Sequence, residues 1–337
     1  MKGFERTPPE VRSILRRRID RLGLKLEGSP VARFVRQLQK ELRSKGILKF
    51  QAVCYLTDEW GCPDREPIIG IPFYLADPKL ASLEKRMNDL EDSRKIMMYL
   101  RHEAGHAFNY AYRLFETARW RDLFGPFRRA YREDYRPVPF SRRYVRHMEG
   151  WYAQKHPDED FAETFAVWLT PASRWRSRYR SWPALRKLQY VDRTVRRLGA
   201  KEPIVDQGQT DLTVSQMKLT VQDFYRKAAR HNRAAVKLAL VGDMADIFRR
   251  PWGKEDGLIP ASEMVQRHRV ELIDKIAYWT GVRREVVRSL VEVMHRHCRE
   301  RKLVARRRRE TAYMVEITAY GTALAMNYLT RGRFVLK

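Results

Sequence analysis

The sequence predicts an α+β fold, in which a core with a small sheet and a long active-site helix precedes a mainly helical C-terminal region. Two short stretches, LKFQAVCYL (48–56) and IIGIPFYLAD (68–77), have the composition of β-strands. The segments on either side repeat apolar residues every three or four positions, which is typical of amphipathic helices. From residue 214 onward, only the helical pattern recurs. These observations together favour mixed architecture over an all-helical one.

The chain divides into four predicted segments. Residues 1–47 are predicted to form N-terminal helices that pack on the core, because basic and apolar residues alternate there at helical spacing. Residues 48–200 form the predicted main domain, and the polar stretch 201–213 is a predicted linker. Residues 214–337 form the predicted helical C-terminal region.

Within the main domain the predicted elements follow one another in a simple order. The strand at 68–77 contains Pro72, which cannot donate a hydrogen bond to a neighbouring strand, so it should lie at a sheet edge. A helix is predicted over about 79–117, and residues 118–150 are predicted to be one long loop, since prolines and glycines interrupt them. Two further helices are expected at 158–169 and 182–199.

One face of the long predicted helix should meet the core. Its apolar positions recur at intervals of three and four residues. The residues on this ridge are Ile96, Leu100, Ala104, Ala107, Ala111 and Leu114.

Composition limits the classes of protein that the chain can belong to. It has 337 residues, 44% of them hydrophobic, which excludes a disordered polymer. Its three cysteines argue against a disulfide framework, and its N-terminus has no signal peptide, so a cytoplasmic location is expected. No window approaches the ~18 consecutive apolar residues that a membrane span requires. Composition does not specify an oligomeric state.

The formal net charge of +27 favours polyanionic partners such as nucleic acid or acidic proteins. The excess is spread along the chain rather than gathered in a tail: residues 1–205 hold 42 Lys and Arg against 26 Asp and Glu, and the rest hold 26 against 15. A generally basic proteome would give the same figure, and no nucleic-acid motif accompanies the charge.

The segment HEAGH, residues 102–106, lies inside the long predicted helix. Its two histidines are one helical turn apart, so the imidazoles of His102 and His106 can reach one metal ion. Glu103 lies beside them and can accept a proton from metal-bound water. The alternative is a polar stripe on a core helix, but Gly105 in a helix interior costs about 1 kcal/mol relative to Ala, which calls for a packing reason.

A third protein ligand is expected in HPDEDFAETF, residues 156–165. Glu159 and Glu163 are four residues apart on one face of an otherwise apolar helix, and two unpaired carboxylates there would be costly to bury. One carboxylate can bind the metal while the other accepts a hydrogen bond from a ligand histidine. Asp158 and Asp160 instead fit solvated acids that complement the helix dipole.

HEAGH followed by EDFAETF resembles the gluzincin metallopeptidases, and WYAQKHPDEDFAETFAVWLTP is similar to a bacterial group of zinc-binding metallopeptidases. The resemblance covers roughly residues 48–200 and implies a zincin-like catalytic domain that hydrolyses peptide bonds with Zn²⁺. It implies Glu159 as the third ligand and Glu163 as the acid that orients a ligand histidine. Tyr152 stands seven residues before Glu159, where the lethal-factor branch of the family has a tyrosine that stabilises the oxyanion. The family's edge strand pairs with substrate, which here implies the strand around 68–75.

The predicted partner is a peptide or protein substrate, with an acidic one favoured by the positive charge. The alternative is a zincin-fold protein that binds nucleic acid or regulates other proteins and has little or no peptidase activity.

Three other groups of residues could be metal or substrate contacts. His295 and His297 point to different faces of a predicted helix, so with Cys298 they form a poor ligand set. His156 precedes Pro157 and fits a helix N-cap. His147 lies in the predicted loop.

Overall fold

The computed structural model describes residues 9–87, 90–131, 135, 137–226, 244–250 and 256–331. The chain forms two compact units, Met1–Arg226 and Lys227–Lys337. Residues 227–243 of the predicted helical region and residues 132–134 and 136 of the predicted loop lie outside the described part. The four predicted segment boundaries stay predictions.

The first unit contains a two-stranded sheet and a set of α-helices. Its strands are β1 Val53–Thr57 and β2 Ile68–Pro72. Its helices are α1 Pro9–Leu15, α2 Ala32–Ser44, α3 Pro78–Met87, α4 Ser93–Ala111, α5 Ala118–Phe124, α6 Pro157–Leu169, α7 Trp175–Arg178 and α8 Leu185–Leu198. A small sheet among many helices confirms the α+β class.

The two strands pair in parallel, with Val53 opposite Ile68 and Thr57 opposite Pro72. β2 ends at Pro72, five residues earlier than predicted, because Phe73–Ala76 turn into a 3-10 helix. Its five residues are all buried. A fully buried strand reads as a continuous apolar run, which is the pattern of IIGIP.

The single helix predicted over about 79–117 is instead two helices, α3 and α4. The first ends at Met87 and the second begins at Ser93. The Asp92 side chain caps α4 by accepting a hydrogen bond from the Lys95 N–H at 2.8 Å. The expected apolar ridge is confirmed, since all six of its residues are at most 6% exposed.

The predicted loop at 118–150 is only partly a loop. It begins with α5, which the Thr117 side chain caps, and it ends in a 3-10 segment, Glu149–Gln154. Prolines and glycines suggested an irregular chain, but a seven-residue helix fits before the first of them. This segment passes from the end of α4 to the start of α6.

Helices α4 and α6 pack against each other at Gly105. A Cβ atom there would lie 2.7 Å from the Ala162 Cα and 2.9 Å from the Ala162 carbonyl oxygen. Real Cβ atoms do not come so close to backbone, so only glycine allows this approach. The packing reason that the sequence called for is therefore the backbone of α6.

The second unit is also built mainly of helices, with one small antiparallel sheet. The strands are β3 Leu258–Pro260 and β4 Val304–Arg306. The helices are α9 Met244–Ile247, α10 Ala261–Arg267, α11 Arg269–Thr280, α12 Arg284–Glu300 and α13 Glu310–Arg331. Their buried side chains form a single apolar cluster that includes Leu272, Ile276, Leu290 and Met294.

The segment 201–213 belongs to the first unit, and backbone hydrogen bonds hold it against α4. The N–H groups of Ile204 and Val205 donate to the Ala111 carbonyl at 2.8 and 3.0 Å, at the C-terminal end of α4. None of the helices that the structure describes is long and apolar enough to cross a membrane.

Candidate active site

Helices α4 and α6 bring His102, His106 and Glu159 together. The Nε2 atoms of the two histidines are 3.1 Å apart. Glu159 Oε2 lies 3.0 Å from Nε2 of His102 and 3.2 Å from Nε2 of His106. Three potential ligand atoms thus form a nearly equilateral triangle, although the residues come from helices about fifty positions apart in sequence.

This triangle fits a tetrahedral metal ion. Zinc binds His and carboxylate ligands at about 2.0–2.1 Å, which in a tetrahedron separates neighbouring ligand atoms by about 3.3 Å. The observed separations of 3.0 to 3.2 Å are close to that value. Two imidazoles and one carboxylate also suit zinc chemically, and they leave a fourth position for water. Among the described residues, this is the one group of three or more His, Cys, Asp and Glu side chains arranged to hold a metal.

His106 is held by a carboxylate that the sequence assigned to another role. Its Nδ1 lies 2.7 Å from Asp158 Oδ2, and the same aspartate accepts hydrogen bonds from Asn109 Nδ2 at 2.7 Å and from the Tyr110 hydroxyl at 2.5 Å. Asp158 is only 6% exposed, so the expectation of a solvated acid was wrong. Asn109 and Tyr110 follow His106 by three and four residues, so a polar face on α4 was the signal that could have found this cluster.

His102 is held in the same way by Glu163. Its Nδ1 lies 3.0 Å from Glu163 Oε1. The other oxygen, Oε2, accepts hydrogen bonds from the backbone N–H groups of Met148 at 2.9 Å and His147 at 3.3 Å. Both histidines therefore turn Nε2 toward Glu159, because Nδ1 is bonded to a buried carboxylate.

The pKa values of these groups show how strongly the site favours a positive charge at its centre. Burial lowers the pKa of His102, but hydrogen bonds to Glu159 and Glu163 outweigh it and raise that pKa to about 9. Burial also lowers the pKa of His106, but the negative charges of Asp158 and Glu159 outweigh it and raise that pKa well above its usual value. Burial raises the pKa of Glu159, yet the two histidines bring it well below the usual range.

Glu103 lies next to the ligand histidines on α4 and lines the cleft. It is 6% exposed, and burial raises the pKa of its carboxyl above the usual value. A carboxylate with a raised pKa holds a proton more readily than an ordinary glutamate, which suits a group that takes and returns one.

Tyr152 reaches the site from a strained turn. Gly150 and Trp151 have left-handed backbone conformations, with φ of 80° and 54°. For Trp151, which has a side chain, such a conformation costs on the order of 1–3 kcal/mol, so surrounding contacts must hold it. The Tyr152 ring then lies 5.6 Å from the ring of His102, and burial raises the pKa of its hydroxyl.

The site opens into a cleft of about 600 Å³. One wall comes from the connection between β1 and β2, and the other from the segment before α6. The wall residues include the acids Glu59 and Asp64 and the bases Arg65, Arg129 and Lys155.

The outer side of β2 is covered next to this cleft. The Gly70 N–H donates to the Gly61 carbonyl at 2.7 Å, and the Gly61 N–H donates back at 3.4 Å. β2 therefore has no free edge at Gly70, contrary to the expectation that it pairs with substrate. The segment containing Gly61 faces the cleft in its place.

The other candidate residues have different roles in the structure. His156 caps α6, because its Nδ1 accepts a hydrogen bond from the Asp158 N–H at 3.2 Å, as the sequence indicated. His147 is half-buried, its Nε2 lies 2.9 Å from the Met98 carbonyl oxygen, and desolvation lowers its pKa. His295, His297 and Cys298 do not form a ligand group within the described part of the chain.

Asp160 also differs from expectation. It is 1% exposed, and its Oδ2 lies 2.5 Å from Lys187 Nζ. Burial raises the pKa of Asp160 to about 7, although Lys187 opposes that rise. This aspartate fixes α6 to α8 and has no described contact with the ligand triangle.

A comparison with known protein families matches part of the chain. Residues 68–179 match a family model described as "putative zinc-binding metallo-peptidase". The matched range contains Glu103 and the three residues of the ligand triangle, His102, His106 and Glu159. No curated protein and no solved structure matches the chain.

Proposed function

We propose that the first unit is a zincin-like zinc metallopeptidase of gluzincin type, with Zn²⁺ held by His102, His106 and Glu159. The observation that carries this proposal is the ligand triangle, in which each histidine is fixed by its own buried carboxylate. Bound zinc would lower the pKa of a water molecule and polarise the carbonyl of a peptide bond. The matched family supports the same metal and reaction.

Glu103 is the general base. Its carboxylate takes a proton from the attacking water and later passes one to the leaving amine, which requires a pKa close to the working pH. The raised pKa of this buried carboxyl supports both transfers.

Tyr152 stabilises the oxyanion. Its hydroxyl stays protonated because burial raises its pKa, so it can donate a hydrogen bond when negative charge develops on the carbonyl oxygen. The position of its ring beside His102 supports this role.

The substrate is a peptide or protein, and the cleft wall favours one with acidic side chains. Arg65, Arg129 and Lys155 line the cleft and can attract carboxylates. An extended peptide would follow the segment around Gly61, because this segment lines the cleft and covers β2 at Gly70.

The decisive experiment compares wild type with Glu103→Gln. The variant should keep stoichiometric zinc, because Glu103 is not a ligand, and should lose roughly 10²- to 10⁴-fold in hydrolysis with the general base. Zinc content is measured on purified protein, and cleavage products are compared across a whole proteome digest to find substrates.

His102→Ala is the matched control, since it should lose both zinc and hydrolysis. A wild-type protein without stoichiometric zinc, together with a His102→Ala variant that behaves like it, would contradict the proposal.

A second candidate function is nucleic-acid binding, which the net charge of +27 favours. The two functions separate cleanly in one measurement. Binding that weakens steeply with salt and survives Glu103→Gln would support this alternative, and absence of binding at low salt would exclude it.

A further inference from the structure

Tyr131 lies at the mouth of the cleft and has no assigned role in the mechanism above. Its side chain comes from the connection between α5 and α6 and is 49% exposed. The ring lies 5.3 Å from the ring of His156 and 4.3 Å from Lys155 Nζ. These contacts direct its hydroxyl inward, toward the ligand triangle.

The hydroxyl of Tyr131 donates a hydrogen bond to Glu159 Oε1. The other oxygen, Oε2, is the one that faces His102 and His106. The two oxygens of Glu159 thus have separate partners. A carboxylate whose second oxygen is held by a phenol can offer only the first to a metal, which keeps the ligand set at three atoms.

The same hydroxyl lies 3.3 Å from the hydroxyl of Tyr152. A phenol has one proton, and Tyr131 gives its proton to a carboxylate, which is the stronger acceptor. In the contact between the two tyrosines, Tyr152 must therefore be the donor and Tyr131 the acceptor. In the absence of substrate, the O–H of Tyr152 is turned toward Tyr131.

We propose that Tyr131 is a positioning residue of this active site, which holds Glu159 as a one-oxygen ligand and keeps the Tyr152 O–H directed at the cleft. An oxyanion formed on the substrate is a better acceptor than a neutral phenol, so Tyr152 then turns its hydrogen bond from Tyr131 to the substrate. This inference rests on the proposed function, because it assigns Tyr131 a role toward its metal ligand and its oxyanion donor.

The test is the variant Tyr131→Phe, which removes the hydroxyl and keeps the ring contacts with His156 and Lys155. Tyr144→Phe is the matched control. Tyr144 belongs to the same connection, and its ring lies 4.4 Å from Lys187 Nζ, away from the ligand triangle. Both variants lose one phenol oxygen, but only one loses the contact with Glu159.

Two readouts do not depend on hydrolysis. The zinc dissociation constant, measured by competition with a chromophoric chelator, should rise about 10-fold in Tyr131→Phe and stay unchanged in Tyr144→Phe. The visible absorption spectrum of the Co²⁺-substituted protein should also change in Tyr131→Phe, because the freed oxygen of Glu159 can join the metal. Both are recorded below the melting transition, so altered stability does not obscure them.

Hydrolysis provides a third readout through the pair of tyrosines. Tyr131→Phe should lower kcat more than it alters KM, and its effect on kcat should shrink in a Tyr152→Phe background, since the two hydroxyls act together. Its effect on zinc affinity should persist in that background.

The possible outcomes separate the two proposals. If wild type takes up neither zinc nor Co²⁺, the proposed function and this inference both fail. If wild type binds metal and Tyr131→Phe matches Tyr144→Phe in affinity and spectrum, the inference alone is overturned.

Discussion

The two units bury different kinds of side chain. Between α4 and α6, the first unit buries a cluster of charged and polar groups, among them His102, His106, Asp158, Glu159 and Glu163. In the part of the second unit that the structure describes, Thr280 is the one buried polar residue, and the remaining buried side chains form an apolar cluster.

This difference indicates that the buried side chains of the first unit serve a chemical site as well as stability. Burying an unpaired polar group costs several kcal/mol, so the first unit must give each group a partner. Those partners hold three side-chain atoms that can bind one metal ion. An apolar core of equal volume would be at least as stable, so stability alone does not explain this polar cluster. The second unit is closer to that simpler solution, because the fully buried side chains in its described part are almost all apolar.

The largest expected effect lies in the apolar core. Leu290→Ala should destabilise the second unit by about 2–5 kcal/mol, because it leaves a cavity among fully buried neighbours. Urea denaturation monitored by circular dichroism measures the change. Zinc affinity should stay at the wild-type value, and a parallel loss of zinc would show that the two interiors are not independent.

Replacement of a buried glycine in each unit gives the next effect. Gly105→Ala should cost about 1–3 kcal/mol in the free energy of unfolding and weaken zinc binding, since its Cβ would meet the backbone of α6. In the second unit the Cβ of Gly321→Ala would meet the Ile276 Cδ1 at 2.6 Å, which is the end of a flexible side chain.

Gly321→Ala is therefore the matched control and should be close to neutral. The helix gains about 1 kcal/mol from replacing glycine, which offsets the cost of moving Ile276. Equal destabilisation by the two substitutions, measured by thermal melting, would argue against the close backbone approach at Gly105.

The carboxylates behind the histidines should affect metal binding more than folding. Asp158→Asn should weaken zinc affinity about 10- to 100-fold, because His106 loses the carboxylate that orients it. Asp160→Asn is the control, since Asp160 pairs with Lys187 instead. Calorimetric titration with zinc distinguishes them, and equal losses in both variants would contradict a specific role for Asp158.

The smallest effect concerns one thiol in each unit, the half-buried Cys62 and the buried Cys298. Burial raises the pKa of Cys298 to about 12 and the pKa of Cys62 well above its usual value, so both thiols stay protonated at pH 8 and should react slowly with iodoacetamide. Cys298 is fully buried, so its labelling should follow unfolding of the second unit and accelerate in Leu290→Ala. Labelling read by mass spectrometry at equal rates in wild type and Leu290→Ala would refute that link.

The sequence alone determined those parts of the site in which residues lie near one another on a single helix. The placement of His102, Glu103 and His106 on one helix follows from hydrogen bonds between residues four apart, as does the shared face of Glu159 and Glu163. The same periodicity identified the buried ridge of α4, and the α+β class followed from two short strand patterns among helical ones.

Tertiary structure decided what depends on which surfaces meet. Asp158 became the partner of His106 because α6 packs closely on α4 at Gly105. Tyr131 reaches Glu159, and Gly61 covers β2, only through the paths of two connecting segments. No local rule specifies such paths, because contacts between distant residues are fixed by the packing of the whole unit.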